Sequence, residues 1–347
     1  MKKGWIIFGG AAALVLVVTL AVGWFYYNKL FPANIHFADV SGSYFLYIRE
    51  GDSLEDLTLQ LANHHVIKDE DSFEWTAEQM EYTRRIIPGK YKLVDGESNY
   101  SLIKRLRSGS QVSINVTFIN VRSLNDLAQV ISKKIDVDSS NFIHLLNNKP
   151  YLDSLGYTKE TLLSLFIPNT YQFYWATNAK GFIQRMKREH KNFWSDERLT
   201  KAKEINLSPV EVATLASIVD EESNKNDEKP IIAGLYMNRV NMRMPLQADP
   251  TVKFALNDFA RKRILTKDLE INSPYNTYKV IGLPPGPIRI ASVQGLEAVL
   301  NYQRHDYLFM CAKEDLSGYH YFTRSLAQHN ANARRYQAAI RQLGIRR

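Results

Sequence analysis

Residues 5–27 run for 23 positions without a charge. About 20 apolar residues suffice to cross a hydrocarbon core. Lys2 and Lys3 precede the run, and Trp5 and the aromatic cluster at 24–27 stand at its two ends, where interfacial rings belong. The pattern predicts a cytoplasmic tail over 1–4, a single transmembrane anchor over 5–27, and everything after Lys29 outside the cytoplasmic (inner) membrane. A cleaved signal peptide is the competing reading. The run is long for one, however, and bulky aromatics fill the place of a small-residue cleavage site.

The chain is 347 residues long, which leaves room for about two folded domains beyond the anchor. With 45% hydrophobic and 23% charged residues, disorder, a coiled coil and a multi-pass membrane protein are all excluded. Cys311 is the only cysteine, so neither a disulfide framework nor a cysteine-built metal centre is available. The formal charge of +8 is mild. It suits an anionic polymer or a membrane surface better than nucleic acid, and no nucleic-acid partner is expected. No phosphate-cradling glycine loop, dinucleotide fingerprint or metal-ligand spacing occurs, so the reading includes no cofactor and no metal.

Residues 44–49 read as a strand. A helix follows from Ser53 with Leu54, Leu57, Leu59 and Leu61 on or near its apolar side, then a second helical stretch over 71–85. Pro88-Gly89 marks a turn before a strand at 90–94, and a helix at 99–108 ends at Gly109. An echo lies 70 residues on: the helix start at Ser53 is repeated at Ser123, each after a strand (44–49; 112–119) and before a helix bearing Phe73 or Phe142. Two related modules and a shared taste for good helix starts both account for it. Beyond about residue 161 come helices at 179–192, 208–224 and 228–240, a long irregular stretch at 244–290, strands at 307–312 and 319–323, and a terminal helix at 324–342. Long irregular segments inside compact domains are usually functional, so the site is expected there.

Ser208-Pro209-Val210-Glu211 is a capping box with proline at the first helical position. Counted from it, Leu215, Ile218, Val219 and Glu222 share one face. Glu222 thus continues a buried stripe, whereas Asp220 and Glu221 turn away from it toward water. A carboxyl set against apolar neighbours has a raised pKa, as a general acid near neutral pH requires. The same position also suits an ion-paired acid at a helix end.

The segment Leu215-Ala-Ser-Ile-Val-Asp-Glu-Glu-Ser223 resembles the signature of the YceG-like family of membrane-anchored endolytic murein transglycosylases. Further collinear matches are Leu246-Gln-Ala-Asp-Pro-Thr-Val252, Ser273-Pro-Tyr-Asn-Thr-Tyr278 with Gly282-Leu-Pro-Pro-Gly-Pro-Ile288, and Phe322-Thr-Arg-Ser-Leu-Ala-Gln-His-Asn330. Phe166-Ile-Pro-Asn-Thr-Tyr171 is a fifth, with Asn169 where the family more often has aspartate. The resemblance implies an α+β fold: the transmembrane helix, a LysM-like βααβ module over 44–110, a second small α/β module or linker subdomain over 111–160, and a mixed α+β catalytic domain over 161–347.

It further implies a lyase that cuts the β-1,4 bond from N-acetylmuramic acid to N-acetylglucosamine inside nascent peptidoglycan strands and leaves 1,6-anhydro ends. The family's catalytic glutamate falls on Glu222. Gln247, Asp249, Tyr275, Asn276, Tyr278 and Asn330 are the candidates to hold sugar rings and their acetamido groups, although Asp249 and Asn276 are also ordinary turn residues. His329 reads as structural. The partners implied are glycan strands and, as a neighbour, a peptidoglycan synthase. A non-catalytic wall-binding scaffold and a hydrolase of the same bond are the alternatives. Ser101-Leu-Ile-Lys104 lacks the companion motifs of a serine nucleophile. His64-His65 has no third ligand, and Lys104, Arg105 and Arg107 read as a solvated basic face.

Overall fold

The computed structural model describes residues 2–37, 43–261 and 263–342, with side chains from residue 10 onward. It is a mixed helix-and-sheet protein that opens on α1 (Lys2–Leu30). Among the described residues, Gly10–Leu30 alone is long and apolar enough to cross a membrane. Met1 and the side chains of Lys2, Lys3 and Trp5, on which the topology reading partly rests, lie outside the description. The chain divides into two compact units: residues 1–115 with 134–136 and 172–178, and residues 116–133, 137–171 and 179–347.

In the first unit, β1 (Phe45–Ile48), α2 (Leu54–Asn63), α3 (Glu70–Gln79), β2 (Gly89–Lys92) and α4 (Asn99–Ser108) follow α1. β1 and β2 pair antiparallel with Phe45 opposite Lys92. Leu46, Leu57, Leu61, Phe73, Tyr91 and Leu102 meet in the core. Two expectations fail. Leu59 is half exposed, because Leu57, Thr58 and Leu61 already fill the buried arc of α2. The helix expected over 71–85 stops at Gln79: Glu81 adopts a left-handed φ of 54° and turns Tyr82, in a single 3-10 turn, into the core.

The chain continues through β3 (Ser113–Phe118), α5 (Leu124–Ser132), α6 (Ser139–Leu146), α7 (Lys149–Leu155) and β4 (Asn169–Tyr174), and β3 pairs with β4. Here the sequence echo becomes structural. The Ser53 and Ser123 hydroxyls each cap the backbone N–H three residues on, and Asp56 and Asp126 each return a bond to the serine N–H. Asp69 and Asp138 cap the second helices, and four residues past each cap stands a fully buried phenylalanine, Phe73 or Phe142.

α8 (Ala179–Phe193), α9 (Asp196–Glu204), α10 (Pro209–Glu222), α11 (Lys229–Asn241), α12 (Asp249–Ala255), α13 (Val293–Leu300), β5 (Phe309–Ala312), β6 (His320–Thr323) and α14 (Leu326–Gln342) complete the second unit. α7, α9, α12 and α13 are short helices that the sequence reading passed over. α12 interrupts the stretch expected to be irregular, with Pro250 at its start.

α10 is the axis of this unit. Every residue from Val212 to Asp220 is buried, with α11 and α13 packed beside it. A helix enclosed over this length has no solvent face, and this overturns the expectation that Asp220 reaches water, while Glu221 is half-buried. Asp220 accepts from Lys229 Nζ at 2.7 Å, from Ser292 Oγ at 2.7 Å and from the Ser292 N–H at 2.6 Å. Gly295 makes this approach possible, since a Cβ there would lie 2.7 Å from the Asp220 carboxylate. Replacing Gly295 by alanine therefore displaces a buried ion pair. We expect a loss of about 1–3 kcal/mol, read as a lower thermal midpoint of the detergent-solubilised chain.

Candidate active site

Glu222 is the last residue of α10, and the chain leaves the helix at once because Ser223 is extended (φ −146°, ψ 137°). Ser223 Oγ donates to Glu228 Oε2 at 3.2 Å. The buried Glu228 carboxylate also accepts the His320 backbone N–H at 2.7 Å and lies 3.0 Å from His320 Nδ1. The turn between α10 and α11 is thereby tied to β6, which fixes where Glu222 emerges. Glu221, one residue earlier, is clamped by Arg122 at 3.0 Å and Arg289 at 2.5 Å. Among the described residues Glu222 has no such cation. Its Oε1 accepts instead from the Tyr236 hydroxyl at 2.7 Å.

Tyr236 and Arg239 lie three positions apart on α11, hence on one face. The Arg239 guanidinium donates to the Leu308, Pro245 and Leu246 carbonyls and, at 3.2 Å, to Gln247 Oε1. It also stacks 5.4 Å from the Phe309 ring centre. These contacts draw the irregular stretch and β5 together around a cavity of about 400 Å³, whose lining includes Glu222, Tyr236, Arg239, Gln247, Asp249 and Tyr278. Gln247 holds a left-handed φ of 53°, uncommon for a side chain of its size. Its N–H donates to the Thr277 carbonyl at 3.0 Å, and the Ala248 N–H donates to Thr277 Oγ1 at 3.0 Å. Tyr278 Oη donates to Asp249 Oδ1 at 2.6 Å.

Of the residues nominated from sequence, the structure gathers Glu222, Gln247, Asp249 and Tyr278 in this cavity and leaves three outside it. Asn276 is fully buried: its Nδ2 donates to the Leu269 and Ile271 carbonyls and its Oδ1 accepts the Tyr278 N–H, so it shapes the loop that presents Tyr278. Tyr275 points into a different pocket, its ring 4.6 Å from that of Phe254. Asn330 is exposed on α14. Asn169 is exposed on β4 and caps only the Thr170 N–H. His329, read as structural, lines the cavity, and burial with the nearby Arg239 charge lowers its pKa. Tyr236 and Arg239 were missed. Their one sequence signal is a Tyr–Arg pair at helical spacing in a mostly apolar helix that also carries Asn238.

Burial pushes the Glu222 carboxyl up to about 7. The Asp249 charge adds to the rise, while the Tyr236 hydrogen bond, which favours the carboxylate, opposes it. A group at this setting is half protonated near neutrality. It can deliver a proton and then accept one, which is the requirement for acid and base work by a single side chain. The folded state holds this proton over a window where an unfolded glutamate, near 4.5, has lost it. Stability linked to Glu222 is accordingly full below about pH 4.5 and falls as pH rises through about 7. Glu222→Gln removes the penalty. Thermal melts at about pH 5 and about pH 8 are expected to show the variant gaining on the parent at the higher pH, by about 1–3 kcal/mol.

The family profile described as the YceG-like family matches residues 46–335. The chain is 29% identical over 304 residues to the endolytic murein transglycosylase of Bacillus subtilis (strain 168), covering 83% of each protein. It is 26% identical over 316 residues to the endolytic murein transglycosylase of Streptococcus pneumoniae serotype 2 (strain D39), covering 82% of this chain and 57% of that one. A crystal structure of a YceG-like protein from Listeria monocytogenes matches with a TM-score of 0.55 at 26% identity, over 83% of this chain and 98% of that one. The profile spans most of the chain, and the protein belongs to the YceG-like family.

Proposed function

We propose that this protein is an endolytic murein transglycosylase, a lyase that cleaves the β-1,4 bond between N-acetylmuramic acid and N-acetylglucosamine within nascent glycan strands. The observation that carries the reading is the Glu222 carboxyl: no cation pairs with it among the described residues, it is hydrogen-bonded to Tyr236, and burial raises it to about 7 on the wall of a polar cavity. The names of the relatives point the same way.

In this reading Glu222 protonates the glycosidic oxygen as the bond to the muramic-acid C1 breaks. The 6-hydroxyl of the same muramic acid then attacks C1 and gives its proton to the Glu222 carboxylate. The 1,6-anhydro end forms, the acid is regenerated, and no water is consumed. In the same reading Gln247, Asp249 and Tyr278 hold the sugars, and Tyr236 sets the acidity. α1 anchors the enzyme in the cytoplasmic membrane with its N-terminus inside and the body outside. Residues 44–110 serve as a LysM-like glycan-binding module, 111–160 as a second small module, and 161–347 as the catalytic domain. So held, the enzyme trims strands as they leave a synthase. Because Asp249 shares the cavity with Glu222, it offers a specific rival: as a second carboxylate it would activate water and make the enzyme a hydrolase.

Mass spectrometry of uncrosslinked glycan treated with the membrane-reconstituted chain distinguishes the two. Anhydro-ended fragments are expected, whereas reducing ends would establish the hydrolase. Glu222→Gln is expected to lower the rate by about 10²-fold or more. Tyr236→Phe removes the bond that favours the carboxylate, so Glu222 stays protonated to higher pH. The alkaline fall of the rate profile, near pH 7 in the parent, should move upward. An unmoved profile in an active Tyr236→Phe variant would contradict the assignment of Glu222 as the acid.

A further inference from the structure

The exit of α1 differs from that of a span followed by a free tether. The Lys29 carbonyl, one of the last in the helix, accepts from Thr76 Oγ1 and from Asn99 Nδ2, each at 3.1 Å. Helix ends leave four such carbonyls without partners, and here Asn99 of α4 donates to one of them while Thr76 of α3 shares its hydroxyl proton between it and the Ser72 carbonyl at 2.7 Å. Lys29 Nζ lies 4.0 Å from Asp69. Three residues past the helix, Ala33 bridges to Ser98, and the buried Asn34 is pinned on both sides of its amide: Oδ1 accepts the Asp69 N–H, and Nδ2 donates to the Asp69 carbonyl and to Asn99 Oδ1, each at 2.8 Å. Rings close the joint. Trp75 meets Phe25 and Tyr26 edge-on, with centroids 5.4 and 5.1 Å away.

A second set of rings is left facing outward. Tyr27, Phe31 and Tyr100 form a ladder with centroid spacings of 5.7 and 5.4 Å, and Lys104 Nζ stands 5.9 Å from the Tyr100 ring. Trp24 is 71% exposed, Tyr27 59%, Phe31 49% and Tyr100 37%. The exposed aromatic belt of the span therefore does not end with α1. It continues across onto α4.

We propose that this face of the first unit, from Trp75 through Phe31 to Tyr100 and Lys104, lies in the headgroup layer of the bilayer that α1 crosses. The inference rests on reading α1 as a membrane anchor. At about 1.5 Å per residue, positions 5–24 span roughly the 30 Å hydrocarbon core. The seven residues on to Phe31 then climb about 10 Å, against about 5–8 Å for the headgroup layer of one leaflet, so Phe31 stands at or just above its outer edge. Trp75, level with residues 25 and 26, sits at the base of that layer, and Tyr100, beside Phe31, at its outer edge. Amphipathic rings favour this zone, and a lysine at its rim reaches the phosphates. Glu74 and Glu78 flank Trp75 along α3, so rings rather than net charge carry the contact. Its consequence is a fixed height: the first unit engages only what lies next to the membrane.

The test is electron paramagnetic resonance on the full chain carrying Cys311→Ser, reconstituted in phosphatidylcholine nanodiscs with a minor share of phosphatidylglycerol. Nitroxides are placed singly through Leu16→Cys, Tyr100→Cys and Lys104→Cys, with free nitroxide in buffer as the water reference. Position 16 is expected to be open to oxygen and closed to a water-soluble nickel relaxant. Positions 100 and 104 should show nickel access several-fold below the free label and above that at position 16. Readings at 100 and 104 equal to the free label, with position 16 in lipid, would overturn the proposal and leave the anchor standing. If position 16 also reads as water, the anchor has failed and the proposal falls with it.

Discussion

Three consecutive carboxyls at the end of one enclosed helix, each given a different surrounding, are the constraint on which the rest depends. Asp220 is neutralised by Lys229 and bonded to Ser292. Glu221 is clamped by Arg122 and Arg289. Glu222, among the described residues, accepts from a hydroxyl and pairs with no cation. Buried acids are tolerable only when paired or protonated, and the fold uses both solutions side by side. The first two pairs pin α11, α13 and the arginine-bearing segments around the end of α10. The third acid is left free to keep its proton near neutrality.

Much of the cavity wall is loop, and its rigidity comes from backbone accounting. Irregular chain that is packed inward must still find partners for its N–H and C=O groups. Arg239 takes three carbonyls, Asn276 takes two, and Thr277 accepts from the segment at 247–248. The result holds Tyr278 against Asp249 and Gln247 against Arg239. Side chains nominated as contacts for a sugar thus divide into those that face the cavity and those, such as Asn276, whose polar groups the scaffold already uses. Glu228 plays a comparable part beneath Glu222, joining Ser223 to His320.

The first unit applies the same economy at a helix end. Its Thr76 and Asn99 side chains satisfy a carbonyl of α1, so the apolar helix and the small domain behind it form one body. The repeated serine–aspartate caps at 53–56 and 123–126 show how a short local rule can be used twice to start helices that place a buried phenylalanine in the following element.

Features that depend on near neighbours in the chain were legible from the sequence. The apolar run of α1, the helix starts of α2 and α5, the capping box of α10, the extents of α4 and α8, and the placing of Glu222 at the end of a buried stripe all follow from spacing and propensity, which act over a few residues. The family was legible too, because its motifs are local strings. What surrounds Asp220 and Glu221 was not. A single helical wheel assumes one wet face, and only the packing of α11 and α13 removes it. Tyr236 reaches Glu222 from another element, Arg239 lines the same cavity, and Tyr275, Asn276 and Asn330 fall outside it. Electrostatic environment is a sum over neighbours distant in sequence. The sequence singled out Glu222, and the tertiary structure decided its proton.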